Sequence, residues 1–201
     1  MIRTLIVDHH PALRAGVKVV LEAERDMVVV GDTGAQADLL PLLRLTRPDV
    51  VVLDCHPPKV VGLHACRLVK CLFPVPGVLI YSAYVDECLR LAARVAGADG
   101  LLDKNASALD LVRAIRVIRA GGRWLLESVR PGEVGRAMRQ LDRQEAQILG
   151  MLLDDTPPAQ IAEALGMPPA TFRRRVNDIL GRLCVEPPWP AGDVPCDRPA
   201  A

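Results

Sequence analysis

Five short apolar runs rich in β-branched residues, at 5–7, 27–30, 50–53, 78–81 and 100–102, are each separated from the next by an amphipathic stretch of helical length. This alternation constrains the fold more than any other feature of the chain. The runs are continuously apolar, not alternating, as expected of strands whose two faces are both covered. The pattern therefore predicts an α/β unit with a doubly wound, five-stranded parallel sheet over 1–120. Pro11 opens the first helix, where a missing N–H does no harm. Leu13, Val17, Val20 and Leu21 then recur at helical spacing. Ser107 reads as the N-cap of the last helix of this unit, which stops at Gly121-Gly122. Aromatic residues are only 3% of the chain, so the core has to be aliphatic.

Several function classes are disfavoured at this level. No apolar run approaches the roughly 18 residues of a membrane span. The N-terminal segment reaches Asp8 too early for a secretory signal, so a cytoplasmic protein is expected. The six cysteines fit no zinc-binding spacing and read as reduced thiols. A net charge of +1 carries no argument about nucleic acid, so any such argument must rest on local charge.

In an open parallel sheet, ligands gather beyond the carboxyl ends of the strands. Asp8, Asp54, Ser82 and Lys104 follow four of the five expected strands and are thereby brought to one edge. The segments around them, 5–11 (LIVDHHP), 48–54 (PDVVVLD) with Pro58 and Gly62, 81–83 (YSA) and 97–104 (GADGLLDK), resemble the receiver domain of response regulators. That resemblance implies that Asp54 is the phosphoacceptor, modified by a sensor kinase or a small phosphodonor. It also implies that Ser82 and Lys104 contact the phosphoryl group and that Mg2+ supplies countercharge. A carboxylate nucleophile attacking phosphorus does need cations to offset charge on the transferring group.

The sequence departs from that pattern where the metal would sit. Receivers usually place two adjacent acids after the first strand, whereas here His9 follows Asp8. Imidazole is a poor ligand for hard magnesium. Pro57 stands where methionine is usual, and Leu101 where a switch aromatic is usual. The expected receiver pocket is thus Asp8, His9, Ser82 and Lys104 around Asp54. A bland alternative is a buried Asp54–Lys104 ion pair without phosphorylation. Asp8-His9-His10 and Asp54-Cys55-His56 also bring together donor types suited to zinc, copper or nickel, with Asp8, Asp54 and His56 as candidate ligands. Pro11 places His10 at a helix start, and Cys55 reads as a core residue.

Residues 121–140 have linker composition, with room for one short helix. Residues 141–185 read as three helices. Asp142 caps the first, Pro157-Pro158 open the second, Gly166 closes it, and Pro168-Pro169 with Thr171 open the third. On that third helix Phe172, Val176, Ile179, Leu180 and Leu183 form one apolar stripe. Opposite lie Ala170, Arg174, Asn177 and Gly181, flanked by Arg173 and Arg175. Three consecutive arginines near a helix start oppose the dipole and call for an anionic partner. Arginine reads guanine and asparagine reads adenine in a major groove.

The segments 141–145 (LDRQE), 160–167 (QIAEALGM) and 171–183 resemble the LuxR-type helix-turn-helix. Together with the receiver segments, the chain is similar to NarL/FixJ-type response regulators. The resemblance implies Arg173, Arg174 and Asn177 as base readers, with Thr171 and Arg175 meeting the backbone. The expected function is a DNA-binding transcriptional regulator acting as a homodimer on double-stranded promoter DNA, not an enzyme, with atypical or phosphorylation-independent control. A conventional Asp54 phosphoswitch and a small-molecule-sensing regulator remain alternatives. An aspartyl-phosphate phosphotransferase is a third, opposed by the basic helix and the missing second acid. The proline-rich tail, 186–201, should be irregular. It interrupts the fourth helix through which such domains pair, leaving the receiver or the linker to carry the two-fold contact.

Overall fold

The computed structural model describes residues 1–35, 38–56, 61–72, 75–124 and 131–183. The expectations for Pro57 and Pro58, for residues 125–130 of the linker and for the tail fall outside these residues. Five parallel strands, β1 (Ile2–Val7), β2 (Met27–Thr33), β3 (Val50–Asp54), β4 (Gly77–Ser82) and β5 (Gly100–Asp103), form one sheet in the order β2-β1-β3-β4-β5. Between and after them run α1 (Pro11–Glu22), α2 (Leu39–Thr46), α3 (Val61–Lys70), α4 (Glu87–Ala96) and α5 (Ala108–Arg119). This is the flavodoxin-like, doubly wound arrangement.

The continuous apolar character of the strands is explained by their two-sided burial. Leu5, Val7, Val51, Leu53, Val78 and Ile80 point to one core shared with α2, α3 and α4. Ile6, Val50, Val52, Leu79 and Tyr81 point to the other, shared with α1 and α5. β2 runs past the expected residue 30 to Thr33 and is only partly buried, as befits an edge strand. Leu101 is buried in the first core. Ser107 caps α5 by accepting from the Asp110 N–H at 3.1 Å.

The C-terminal part is helical: α6 (Pro131–Met138) in the linker region, then α7 (Arg143–Leu153), α8 (Pro158–Ala164) and α9 (Pro169–Leu183). Asp142 and Glu145 form a reciprocal capping box at the start of α7. Gly166 takes a left-handed φ of 61° in the turn between α8 and α9, where a side chain would be strained. The apolar stripe of α9 is buried as expected, with Val176, Ile179 and Leu180 fully enclosed.

The two parts are not beads on a string. α4 lies against the sheet and also against α9, α7 and α6. Its residues Leu89, Leu91, Ala92, Ala93, Val95 and Ala96 are all buried, and one apolar core runs through both parts. Among the described residues no helix is long and apolar enough to cross a membrane.

Candidate functional site: a carboxylate pocket and a basic helix

The sheet edge gathers three of the expected pocket residues and adds one. Lys104 Nζ lies 2.6 Å from Asp8 Oδ2 and 2.6 Å from Asp54 Oδ1. Burial by itself would push this ammonium down, but the hydrogen bonds it donates to Asp54 and Asp8 outweigh it and hold Lys104 above the usual lysine value. His9 Nδ1 sits 2.5 Å from Asp54 Oδ2. Both oxygens of the expected phosphoacceptor are therefore engaged, one by an ammonium and one by an imidazole. His10, the addition, is the N-cap residue of α1, yet its side chain does not cap the helix. Its Nδ1 instead lies 3.2 Å from Asp8 Oδ1, and its backbone N–H donates to that same oxygen at 2.8 Å.

Ser82 is fully buried and stands apart from Asp54's contacts. Its hydroxyl donates to the Cys55 carbonyl at 2.6 Å and accepts from the Tyr84 N–H at 3.2 Å. Cys55 points into the core, as expected. His56 packs edge-on against Tyr84, its ring centroid 6.1 Å from that of His9, and it is not among the clustered ligand atoms. Two supports were not foreseen. Arg14 Nη1 donates to the Asp8 carbonyl at 2.7 Å while its Nε pairs with Asp32. Gly62, on α3, lies so close to the strand end that a Cβ there would stand 2.5 Å from the Asp54 carbonyl oxygen.

On α9 the five expected DNA-contacting residues divide. Arg174 and Asn177 are exposed, and Thr171 is partly so. Arg175 turns back onto the helical part, 2.8 Å from Asp142 Oδ2 and 3.7 Å from Glu145 Oε1. It ties α9 to the cap of α7, whereas the resemblance implies that it meets the DNA backbone. Arg173 borders a crevice of about 640 Å³ between the two parts, opposite Arg67 of α3. Burial, chiefly, and the nearby Arg173 hold the Arg67 guanidinium below its usual value. The same interface is stitched by Arg94 Nη2 donating to the Leu153 carbonyl at 2.8 Å. Asp155 accepts from Arg123 in bidentate fashion at 2.7 and 2.8 Å. Arg136 pairs with Glu87.

Residues 4–116 match the response regulator receiver domain. The chain belongs to the response regulator family. It is 31% identical over 196 residues to the DNA-binding transcriptional activator DevR/DosR of Mycobacterium tuberculosis (strain ATCC 25618 / H37Rv), covering 92% of this chain and 90% of that protein. Among solved structures, a LuxR-family two-component response regulator from Aurantimonas sp. SI85-9A1 superimposes with a TM-score of 0.59 at 29% identity, covering 68% of this chain and 96% of that one. RcsB from Salmonella enterica serovar Typhimurium, bound to promoter P1flhDC, superimposes with a TM-score of 0.60 over 93% of this chain and 94% of that one. At 20% identity this last likeness speaks to fold alone.

The family implies magnesium in the receiver. The donor set of this response regulator does not fit it. Mg2+ favours an octahedron of carboxylate and water oxygens, whereas here His9 stands where a second acid would be. Its ring nitrogen already contacts the Asp54 oxygen left free by Lys104.

Proposed function

We propose that this response regulator binds double-stranded promoter DNA as a homodimer and that its receiver governs access to α9 without conventional magnesium-dependent phosphorylation of Asp54. DNA binding is supported by the exposed Arg174–Asn177 ridge on a helix whose opposite stripe is fully buried. One such helix spans too few base pairs for specificity, so two copies are required. The control half rests on one observation: His9 at 2.5 Å and Lys104 at 2.6 Å occupy both Asp54 oxygens. Each contact takes one lone pair of its oxygen, so an incoming phosphorus has to compete with the imidazole at Oδ2 and the ammonium at Oδ1.

The reading is tested with acetyl phosphate and Mg2+ on the full chain. Intact-mass measurement is expected to show no adduct of about 80 Da, the mass of one phosphoryl group. Gel shift with fragments of its own chromosome at low salt is expected to show binding without that adduct. An Asp54 adduct that raises DNA affinity would restore the conventional switch. Failure to bind any duplex at low ionic strength would remove the DNA function itself.

Access to α9 is set in this reading by the α4–α9 packing, which turns Arg173 toward the receiver. Arg123 lowers the Asp155 carboxyl below its usual range, with Arg94 adding to the effect. A lowered carboxyl stabilises the pairing above the ordinary carboxylate range, and that contribution is lost as pH falls through the lowered value. Asp155 is half exposed, and exposed pairs contribute only about 0.2–1 kcal/mol each. Asp155→Arg, which removes both pairings and adds repulsion, should therefore raise DNA affinity about two- to thirtyfold. Fluorescence anisotropy at fixed salt checks this, and an unchanged or weakened affinity would separate the docked arrangement from DNA control.

A further inference from the structure

The contacts in the receiver pocket are partitioned in a way that phosphorylation chemistry leaves unused. Asp8 gives Oδ2 to Lys104, and Asp54 gives Oδ1 to the same ammonium. The remaining oxygen of each carboxylate faces a histidine ring: Asp8 Oδ1 faces His10 Nδ1, and Asp54 Oδ2 faces His9 Nδ1. Ligand atoms of these four residues all lie within 4.8 Å of one another. Lys104 thus holds both carboxylates from one side and leaves a two-oxygen, two-nitrogen set on the other.

We propose that Asp8, His9, His10 and Asp54 bind one divalent transition-metal ion of the zinc class. Zinc takes imidazole nitrogen and carboxylate oxygen at about 2.0–2.2 Å, and a tetrahedron of that size has edges of roughly 3.3–3.6 Å. The contacts His9 Nδ1–Asp54 Oδ2 at 2.5 Å, His10 Nδ1–Asp8 Oδ1 at 3.2 Å and His9 Nδ1–Asp8 Oδ1 at 3.9 Å straddle that value. The other ligand–ligand separations lie within 4.8 Å.

Charge and softness agree with the geometry. Two carboxylates against one ammonium leave a net charge of −1 for a cation to meet, and imidazole selects zinc, copper or nickel over magnesium. The site is also braced and reachable. Asp8 is held by the His10 N–H, and its own carbonyl by Arg14, the kind of outer support that orients metal ligands. A cavity of about 390 Å³ bordered by Asp8, His9, Gly34, Asp54 and Gly62 opens onto the cluster, giving an ion a way in. Occupancy would engage Asp54 Oδ2 on the ion and make the state of the receiver depend on that metal. That regulatory consequence rests on the proposed control of DNA binding, whereas the ligand set does not.

The test uses the full chain, stripped with chelator and titrated with Zn2+ alone by calorimetry, with Co2+ as a spectroscopic stand-in. One equivalent should bind at micromolar or lower concentration, with the intense visible bands of tetrahedral cobalt, and millimolar Mg2+ should not compete. His9→Gln and His10→Gln should each lose more than the 10- to 100-fold that removal of a mere outer-shell partner costs. Circular dichroism and melting temperature show that the variants stay folded. No binding at about 100 μM Zn2+, far above the range of a dedicated structural site, overturns the proposal. So does binding that survives in both variants, which would place the ion away from His9 and His10. DNA binding is read in parallel by gel shift of the stripped chain, so that loss of the regulator reading and loss of the metal site give separate results.

Discussion

Replacing Arg174 by alanine is expected to abolish the sequence-specific shift of promoter DNA while leaving the melting temperature unchanged. Arg174 is exposed midway along the outward ridge of α9, and no hydrogen bond or ion pair to it is found among the described residues. Its removal therefore disturbs no packing. A bidentate arginine–guanine contact contributes about 1–3 kcal/mol of discrimination, or roughly 5- to 150-fold in affinity. Two half-sites on a dimer double the free-energy loss. Non-specific binding should fall far less, because it follows total phosphate charge. The ratio of specific to non-specific affinity, measured by competition gel shift at one salt concentration, decides the matter. An unchanged ratio would remove Arg174 from the reading set. Arg175→Ala is the informative contrast. It loses the Asp142 ion pair at 2.8 Å, so its effect should show first in the stability of the helical part.

The second large effect is expected from His9→Asp. The substitution takes an imidazole off Asp54 Oδ2 and sets a second carboxylate beside Asp8. This replaces a mixed nitrogen–oxygen set with the hard oxygens that Mg2+ prefers. Treated with acetyl phosphate and Mg2+, the variant should gain an Asp54 adduct at least about tenfold faster than the parent, a change of 1.4 kcal/mol or more in barrier. His9→Asn separates the two contributions, since it frees the oxygen without adding charge: its gain measures the unblocked oxygen, and the further gain in His9→Asp measures the added carboxylate. Without Mg2+ the His9→Asp variant should melt lower, because three carboxylates then surround one Lys104 ammonium. Intact mass with and without Mg2+ is the measurement. An adduct-free His9→Asp variant would show that His9 does not set the block.

The parts of the fold written in local periodicity were legible from the chain alone. Continuous apolar runs can be satisfied only by strands covered on both faces, and the topology followed from their alternation with helices. Asp142, Ser107 and Gly166 signalled their own roles, because capping and left-handed turns depend on a few neighbouring residues. The basic ridge was legible in the same way, from 100° steps along one helix. The length of β2 was not, since an edge strand ends where its partner's hydrogen bonds end and not where its apolar residues do. α4 also carries a sequence signal of its packing: Leu89, Leu91, Ala92, Ala93, Val95 and Ala96 spread over a wide apolar arc, which marks a helix covered on more than one side.

What the order of residues determined by itself was the doubly wound sheet, the three-helix unit after it, and the delivery of Asp8, Asp54 and Lys104 to one edge. Only the tertiary structure decided which oxygen of each carboxylate meets Lys104 and which meets a histidine. It likewise decided that His10 and not His56 completes the cluster, that Arg175 turns inward to the α7 cap, and that α9 rests on α4. The reason is range. Helix and strand periodicity is set by neighbours a few positions away. The remaining choices are hydrogen bonds and ion pairs between residues such as 9 and 54 or 142 and 175, whose geometry exists only once the whole chain has closed.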